Sequence, residues 1–175
     1  MPKDVLDIID TAVKIGLGAL ISGIATYSVT SLTHNNEIKK YKLSRKRELL
    51  EEIASQSEVF SNIVLTYWAY MMEHTRYIQQ KKAVPEDLVS RIEKSSKELF
   101  DGYSSLGSAE GKLILIGADK AQDLTRSYGE FVKSFRRFAW TGNNALTEKD
   151  LDDYRTQILQ KRKDLYEELR AFYEN

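Results

Sequence analysis

Apolar residues fall into two patterns along the chain: one uncharged run, then a series of seams with helical spacing. The run, Ile15 to Leu32 (IGLGALISGIATYSVTSL), contains no Asp, Glu, Lys or Arg. From Asn36 to Lys82 the positions Leu50, Ile53, Ser57, Phe60, Val64, Tyr67, Met71, His74 and Ile78 alternate steps of 3 and 4, which predicts one long helix. Its seam is interrupted in polarity at Ser57 and His74. Pro85 suits the first position of the next helix, with Glu86 and Asp87 in the first turn. Leu88, Ile92, Ser95, Leu99, Tyr103 and Leu106 carry that helix forward. Leu113 to Ile116 has strand-like composition, yet no second candidate strand exists to pair with it. The helix is therefore expected to continue to about Ile116, with a bend near Gly107 or Gly111, and to end at Gly117.

Asp119 is placed to cap a third seam, Ala121, Leu124, Tyr128, Phe131, Phe135 and Phe138. Trp140 to Asn144 reads as a turn. Thr147 and Asp150 resemble a capping box in which Asp replaces the usual Glu. The last seam runs Leu151, Tyr154, Ile158, Leu165, Leu169 and Phe172, interrupted at Lys161 or Arg162. The expected fold is all-α: an N-terminal transmembrane helix followed by an antiparallel bundle of about four long helices. The expected organisation is a transmembrane segment at 1–33, a basic juxtamembrane helix start at 34–49 and a cytoplasmic bundle at 50–175.

A helix of the length of the uncharged run extends roughly 27 Å, close to the thickness of a bilayer's hydrocarbon core. Ala12, Gly16, Ala19, Gly23, Thr26 and Thr30 follow steps of 4, 3, 4, 3 and 4. They form one stripe of small side chains, the surface through which spans pack closely, and so predict a homo-oligomer. Lys39, Lys40, Lys42, Arg45, Lys46 and Arg47 follow the run, whereas only Lys3 and Lys14, with Asp4, Asp7 and Asp10, precede it. Basic flanks stay in the cytoplasm, so the N-terminus is expected outside and the C-terminus inside a cytoplasmic (inner) membrane. The same six cations are candidates for contact with anionic lipid headgroups.

The chain has 175 residues, 42% hydrophobic and 30% charged, the balance of a folded protein. Two of the 26 basic and three of the 26 acidic groups lie in residues 1–35, which leaves 24 and 23 for the rest. Such an even balance argues against a nucleic-acid binder. Cysteine is absent, which excludes disulfides, thiol nucleophiles and Cys-zinc sites. The two histidines, His34 and His74, stand 40 residues apart, with no His-Glu-x-x-His motif and no Glu three residues before either. His74 is read as a core or rim residue bonded to a tyrosine or carboxylate. Neither a phosphate loop nor a dinucleotide fingerprint occurs. The expectation is therefore a non-enzyme that needs no cofactor and no metal.

Two clusters invite binding. Tyr67, Trp68, Tyr70 and Tyr77 combine apolar bodies with polar tips on one helix, and an exposed subset would anchor a protein partner. Lys133, Arg136 and Arg137 interleave with Phe131, Phe135 and Phe138, whose seam positions favour core and leave the cations on a solvated face.

The apolar run, Lys-Arg-Glu-Leu-Leu-Glu-Glu at 46–52 and Lys-Asp-Leu-Tyr-Glu-Glu-Leu-Arg at 163–170 give a layout that resembles small bacterial membrane proteins with one N-terminal span and a charged helical tail. The resemblance implies architecture and no active-site positions. The function expected is a membrane-anchored scaffold, sensor or adaptor that self-associates through its span and meets an unknown protein partner. The alternatives are an oligomeric pore-forming or membrane-disrupting effector, and a soluble helical oligomer with residues 12–32 as a buried core helix.

Overall fold

The structure is a computed structural model that describes the backbone of residues 2–174. Side chains are described for residues 36–174 and for Ser22, Thr26, Tyr27, Val29, Thr30, Thr33 and His34. Among the described residues four helices occur: α1 (Pro2–Gln79), α2 (Glu86–Leu115), α3 (Asp119–Phe138) and α4 (Glu148–Glu174). Among the described residues there is no strand. The chain divides into two units, residues 1–45 and residues 46–175.

Helix ends follow local chemistry, with some departures from expectation. The separate helices expected at 15–32 and 36–82 are one element, because no proline or glycine pair breaks the backbone between them. α1 stops at Gln79 rather than Lys82. Lys81 turns left-handed (φ 53°), and the amides of Lys82 and Lys81 return to the carbonyls of Tyr77 and Ile78, both at 3.0 Å. That is a Schellman closure with lysine where glycine is usual. Pro85 precedes α2 in extended geometry instead of entering it. The strand-like Leu113–Ile116 segment closes α2 as helix. Gly117 (φ 71°) then makes the same closure as Lys81, with the Gly117 and Ala118 amides on the carbonyls of Ile114 and Leu113. Ala118, not Asp119, is the cap residue of α3, and its methyl offers no capping bond. The Thr147–Asp150 box forms as expected: the Asp150 amide donates to Thr147 Oγ1 at 3.1 Å, and the Thr147 amide donates to Asp150 Oδ2 at 3.0 Å.

Residues 46–175 form a four-helix bundle with neighbours antiparallel. Between α1 and α2 the contacts run Glu52–Lys112, Gln56–Ser108 and Glu73–Arg91. Between α2 and α3 they run Glu110–Arg126, Tyr103–Gly129 and Ser96–Arg136. α3 meets α4 through Lys120–Glu168 and Ser127–Lys161, and α4 returns to α1 through Tyr166–Ala54, Arg162–Glu58 and Arg76–Glu148. In every series one number rises as the other falls, the register of an up-down-up-down bundle.

The core of this unit is two clusters. One contains Phe60, Val64, Tyr67, Met71, Leu88, Leu99, Tyr128, Phe135, Leu151 and Ile158. The other contains Leu50, Ile53, Ala109, Leu113, Ala118, Ala121, Leu165 and Leu169. Along α1 the clusters are separated by Ser57, along α3 by Thr125 and along α4 by Arg162. The breaks in the seams therefore fall at one level of the bundle.

Among the described residues of 1–45 the only element is α1. Tyr27 (77% exposed), Val29, Ile38, Tyr41 and Leu43 stand open on it. Among the described residues no helix is long and apolar enough to cross a membrane. The span expected at 15–32 falls mainly on residues whose side chains lie outside the described ones.

Candidate functional site

Three groups of residues have the composition of a site: the basic stretch after the uncharged run, the aromatic series on α1, and the polar layer between the two core clusters.

In the basic stretch, Lys39, Lys40, Lys42 and Arg45 are exposed. The other two cations are engaged within the chain. Lys46 is half-buried, donates to the Phe172 carbonyl at 2.9 Å and lies 4.2 Å from the centre of the Phe172 ring. Arg47 pairs with Glu51 one turn on, at 2.9 Å. Lys46 thus serves the α1–α4 contact, whereas Arg47 stays exposed on the α1 surface beside Glu51. Of the small stripe, Thr26 and Thr30 are exposed, whereas Ala12, Gly16, Ala19 and Gly23 lie outside the described side chains.

The aromatic series is not one face. Tyr67 is only 2% exposed, and its hydroxyl donates to the Ala139 carbonyl at 2.5 Å. Burial raises its pKa above the ordinary tyrosine value. It is a core residue that ties α1 to the α3–α4 connection, so it is removed from the candidate partner-binding set. Trp68 is half-buried, with its indole N–H on the Leu151 carbonyl at 2.8 Å and Arg155 over its ring. Tyr70 lies under the Arg91 guanidinium, 5.2 Å from ring centre to cation, and Tyr77 packs against the first core cluster. The reason is angular: residues 67, 68, 70 and 77 spread around a helix that is packed on two sides, so each meets a different neighbour.

The polar layer brings together residues that the seams only marked as interruptions. Tyr128 is fully buried and donates to Ser61 Oγ at 3.0 Å; Ser61 in turn donates to the Ser57 carbonyl at 2.8 Å. Thr125 is closed onto the Ala121 carbonyl at 2.8 Å. Ser57 Oγ is buried without a hydrogen-bond partner. At the rim of the layer Arg162 pairs with Glu58 at 2.5 Å, and the Tyr166 hydroxyl reaches the Ala54 carbonyl (3.0 Å) and Glu58 (3.2 Å). Burial raises the pKa of Tyr128, and that of Tyr166 is raised by burial first and by the Glu58 charge second. Apart from Ser57 Oγ, these groups are satisfied by one another or by backbone, the condition of a structural network.

His74 is buried on α1, and desolvation lowers its pKa. Among the described residues it makes no hydrogen bond to the expected tyrosine or carboxylate. No group of three His, Asp or Glu able to hold a metal ion occurs among the described residues. Of the interleaved basic and aromatic residues, Phe135 is core, Phe131 is half-buried, and Arg136 is held on Ser96 at 3.2 Å.

Sequence reasoning passed over one surface, the outward side of α2, where Phe100, Ile114 and Leu115 are exposed. The stretch Gly102–Ala118 contains only two charged residues, Glu110 and Lys112, in a chain that is 30% charged. That dilution was the available clue.

In comparisons with known proteins, the chain matches no family model, no curated protein and no solved structure.

Proposed function

We propose that the protein is a membrane-anchored helical scaffold or adaptor, without catalytic activity of its own, that crosses the cytoplasmic membrane once through residues 15–32. The N-terminus lies outside, and the bundle of residues 46–175 works in the cytoplasm. Copies associate through Ala12, Gly16, Ala19, Gly23, Thr26 and Thr30, whose small side chains allow close packing in lipid.

One observation carries this reading. Among the described residues, 1–45 hold a single helix, and Tyr27 and Val29 of its uncharged run stand in the open. A lone helix has no second element of its own unit against which to bury such a run, and each exposed large apolar side chain forgoes about 1.5–3 kcal/mol of burial. Lipid supplies that environment along the whole run without a folded partner. The exposed cations Lys39, Lys40, Lys42 and Arg45 then lie where anionic headgroups and the cytoplasmic preference of basic flanks both act.

The test is carbonate extraction of membranes from cells that express the full chain with a C-terminal tag, followed by protease treatment of spheroplasts. The protein should stay with the membrane pellet, and the tag should survive until the membrane is opened. Release into the supernatant would overturn the reading and favour a soluble oligomer with residues 12–32 packed between copies. Cleavage of the tag in intact spheroplasts would reverse the orientation.

A further inference from the structure

Part of the outward side of α2 departs from the rule of charged exteriors. Phe100 (69% exposed), Gly107 and Ile114 are spaced by 7 and therefore share a face, with Leu115 (81% exposed) beside them. Ser104 and Gly111 fill the positions between, both exposed. Of the three charges between Phe100 and Leu115, Asp101 is exposed at the margin of this face, and the other two are drawn sideways: Glu110 pairs with Arg126 at 2.8 Å, and Lys112 pairs with Glu52 at 2.7 Å. An uncharged exposed strip remains.

Its glycines have no internal explanation. A methyl group on Gly107 or Gly111 would meet nothing within 4 Å. Each of these glycines costs the helix about 1 kcal/mol relative to alanine. Gly129, by contrast, is needed inside the bundle, because an added methyl would come within 2.9 Å of Leu106. A helix interior that gives up stability at two open positions, flanked by exposed Phe and Leu, has the shape of a contact for another helix.

We propose that this face binds the same face of a second copy of the chain, with the two α2 helices antiparallel about an axis between Gly107 and Ser108. Three features select a second copy over another partner. The pattern is self-complementary: about that axis Phe100 falls opposite Leu115 of the second copy, and Ser104 falls opposite Gly111. Large side chains thereby meet at both ends and small ones meet in the middle, the condition of an isologous two-fold interface. Charge complements at the margins as well: Lys97 falls opposite the region of Asp119 of the second copy. Both are exposed, and among the described residues neither forms an ion pair within its own chain. The surface lies wholly in residues 46–175, so the proposal stands apart from any role of residues 15–32.

The chain has no cysteine, so single cysteines can be introduced without background. In an antiparallel pair the two copies of a residue separate by about 3 Å for each position from the axis, since each helix rises about 1.5 Å per residue. Ser108→Cys should therefore cross-link to itself under mild oxidation of the full-length protein, while Lys97→Cys, about 30 Å from its copy, should not. Adding Phe100→Glu to Ser108→Cys should abolish the dimer band, with the helical circular dichroism unchanged. Lys97→Glu should lower its yield by about threefold, as expected for exposed ion pairs, and Asp119→Lys in the same chain should restore it. Equal cross-linking at Lys97→Cys would overturn the antiparallel arrangement. Absence of a Ser108→Cys dimer in folded protein, or a dimer indifferent to Phe100→Glu, would overturn the interface itself.

Discussion

The hydroxyl of Tyr128 donates to Ser61 Oγ at 3.0 Å, across the diagonal of the bundle from α3 to α1. Ser61 passes the bond on to the Ser57 carbonyl, so two buried side chains on helices distant in sequence share one relay. The relay lies between the two apolar clusters and sets the level at which α1 and α3 stand against each other. Sliding either helix by one turn would bury a phenol hydroxyl against hydrocarbon, at a cost of about 1–3 kcal/mol.

Removing the two partners should therefore have unequal effects. Tyr128→Phe deletes a donor but leaves Ser61 bonded to Ser57, and should cost about 1 kcal/mol. Ser61→Ala strands the Tyr128 hydroxyl in the core and should cost more, up to about 3 kcal/mol. The double variant should lose less than the sum of the two. Urea unfolding followed by circular dichroism measures all three, and strict additivity would show that the bond does not couple the helices.

The bundle should fail steeply in alkali. Burial and the Glu130 charge push the Tyr103 pKa up to about 12, and burial raises Tyr67, Tyr128 and Tyr166 as well. Unfolded tyrosines ionise near pH 10, so the unfolded chain releases these protons first as pH rises. Stability should be intact below pH 10 and decline from there toward pH 12. Tyr103→Phe should shallow that decline, read as unfolding midpoint against pH.

Acid acts through His74 with the opposite sign. Desolvation lowers its pKa in the folded chain, so below the ordinary histidine value of 6.5 the unfolded chain takes up the proton first. The contribution of this residue is whole above pH 6.5 and diminishes as pH falls through the window beneath it. His74→Gln should remove the part of the acid slope nearest pH 6 and leave the carboxylate part at lower pH. An unchanged slope at pH 6 would mean that the histidine protonates as easily folded as unfolded.

The two left-handed closures give a matched pair. Lys81→Gly relieves a side chain from φ 53° and should stabilise the bundle by roughly 1 kcal/mol, whereas Gly117→Ala imposes the same strain at φ 71° and should destabilise it by a similar amount. Neither change touches a core contact, so thermal midpoints report the backbone alone.

For residues 1–45, Gly16→Leu with Gly23→Leu should abolish self-association of the span in a membrane two-hybrid assay. Association that survives both substitutions would remove the small stripe from the proposed anchor.

The periodic spacing of apolar residues alone determined four helical seams, the Thr147–Asp150 cap and the closure at Gly117, because each rests on interactions within one or two turns. It also marked Ser57, His74 and Lys161 or Arg162 as places where seams lapse. That the lapses at Ser57 and Arg162 meet at one level, that Tyr67 turns inward while Trp68 stays at the rim, and that Lys46 leaves the basic cluster for the Phe172 carbonyl were decided by the tertiary structure. Helix period is a one-dimensional property, whereas the rotation and register of one helix against another follow from how several faces fill a shared core. The exposed strip on α2 belongs to both levels: its missing charges are written in the chain, but only the packed bundle shows that Phe100 and Leu115 face outward with Gly107 and Gly111 open between them.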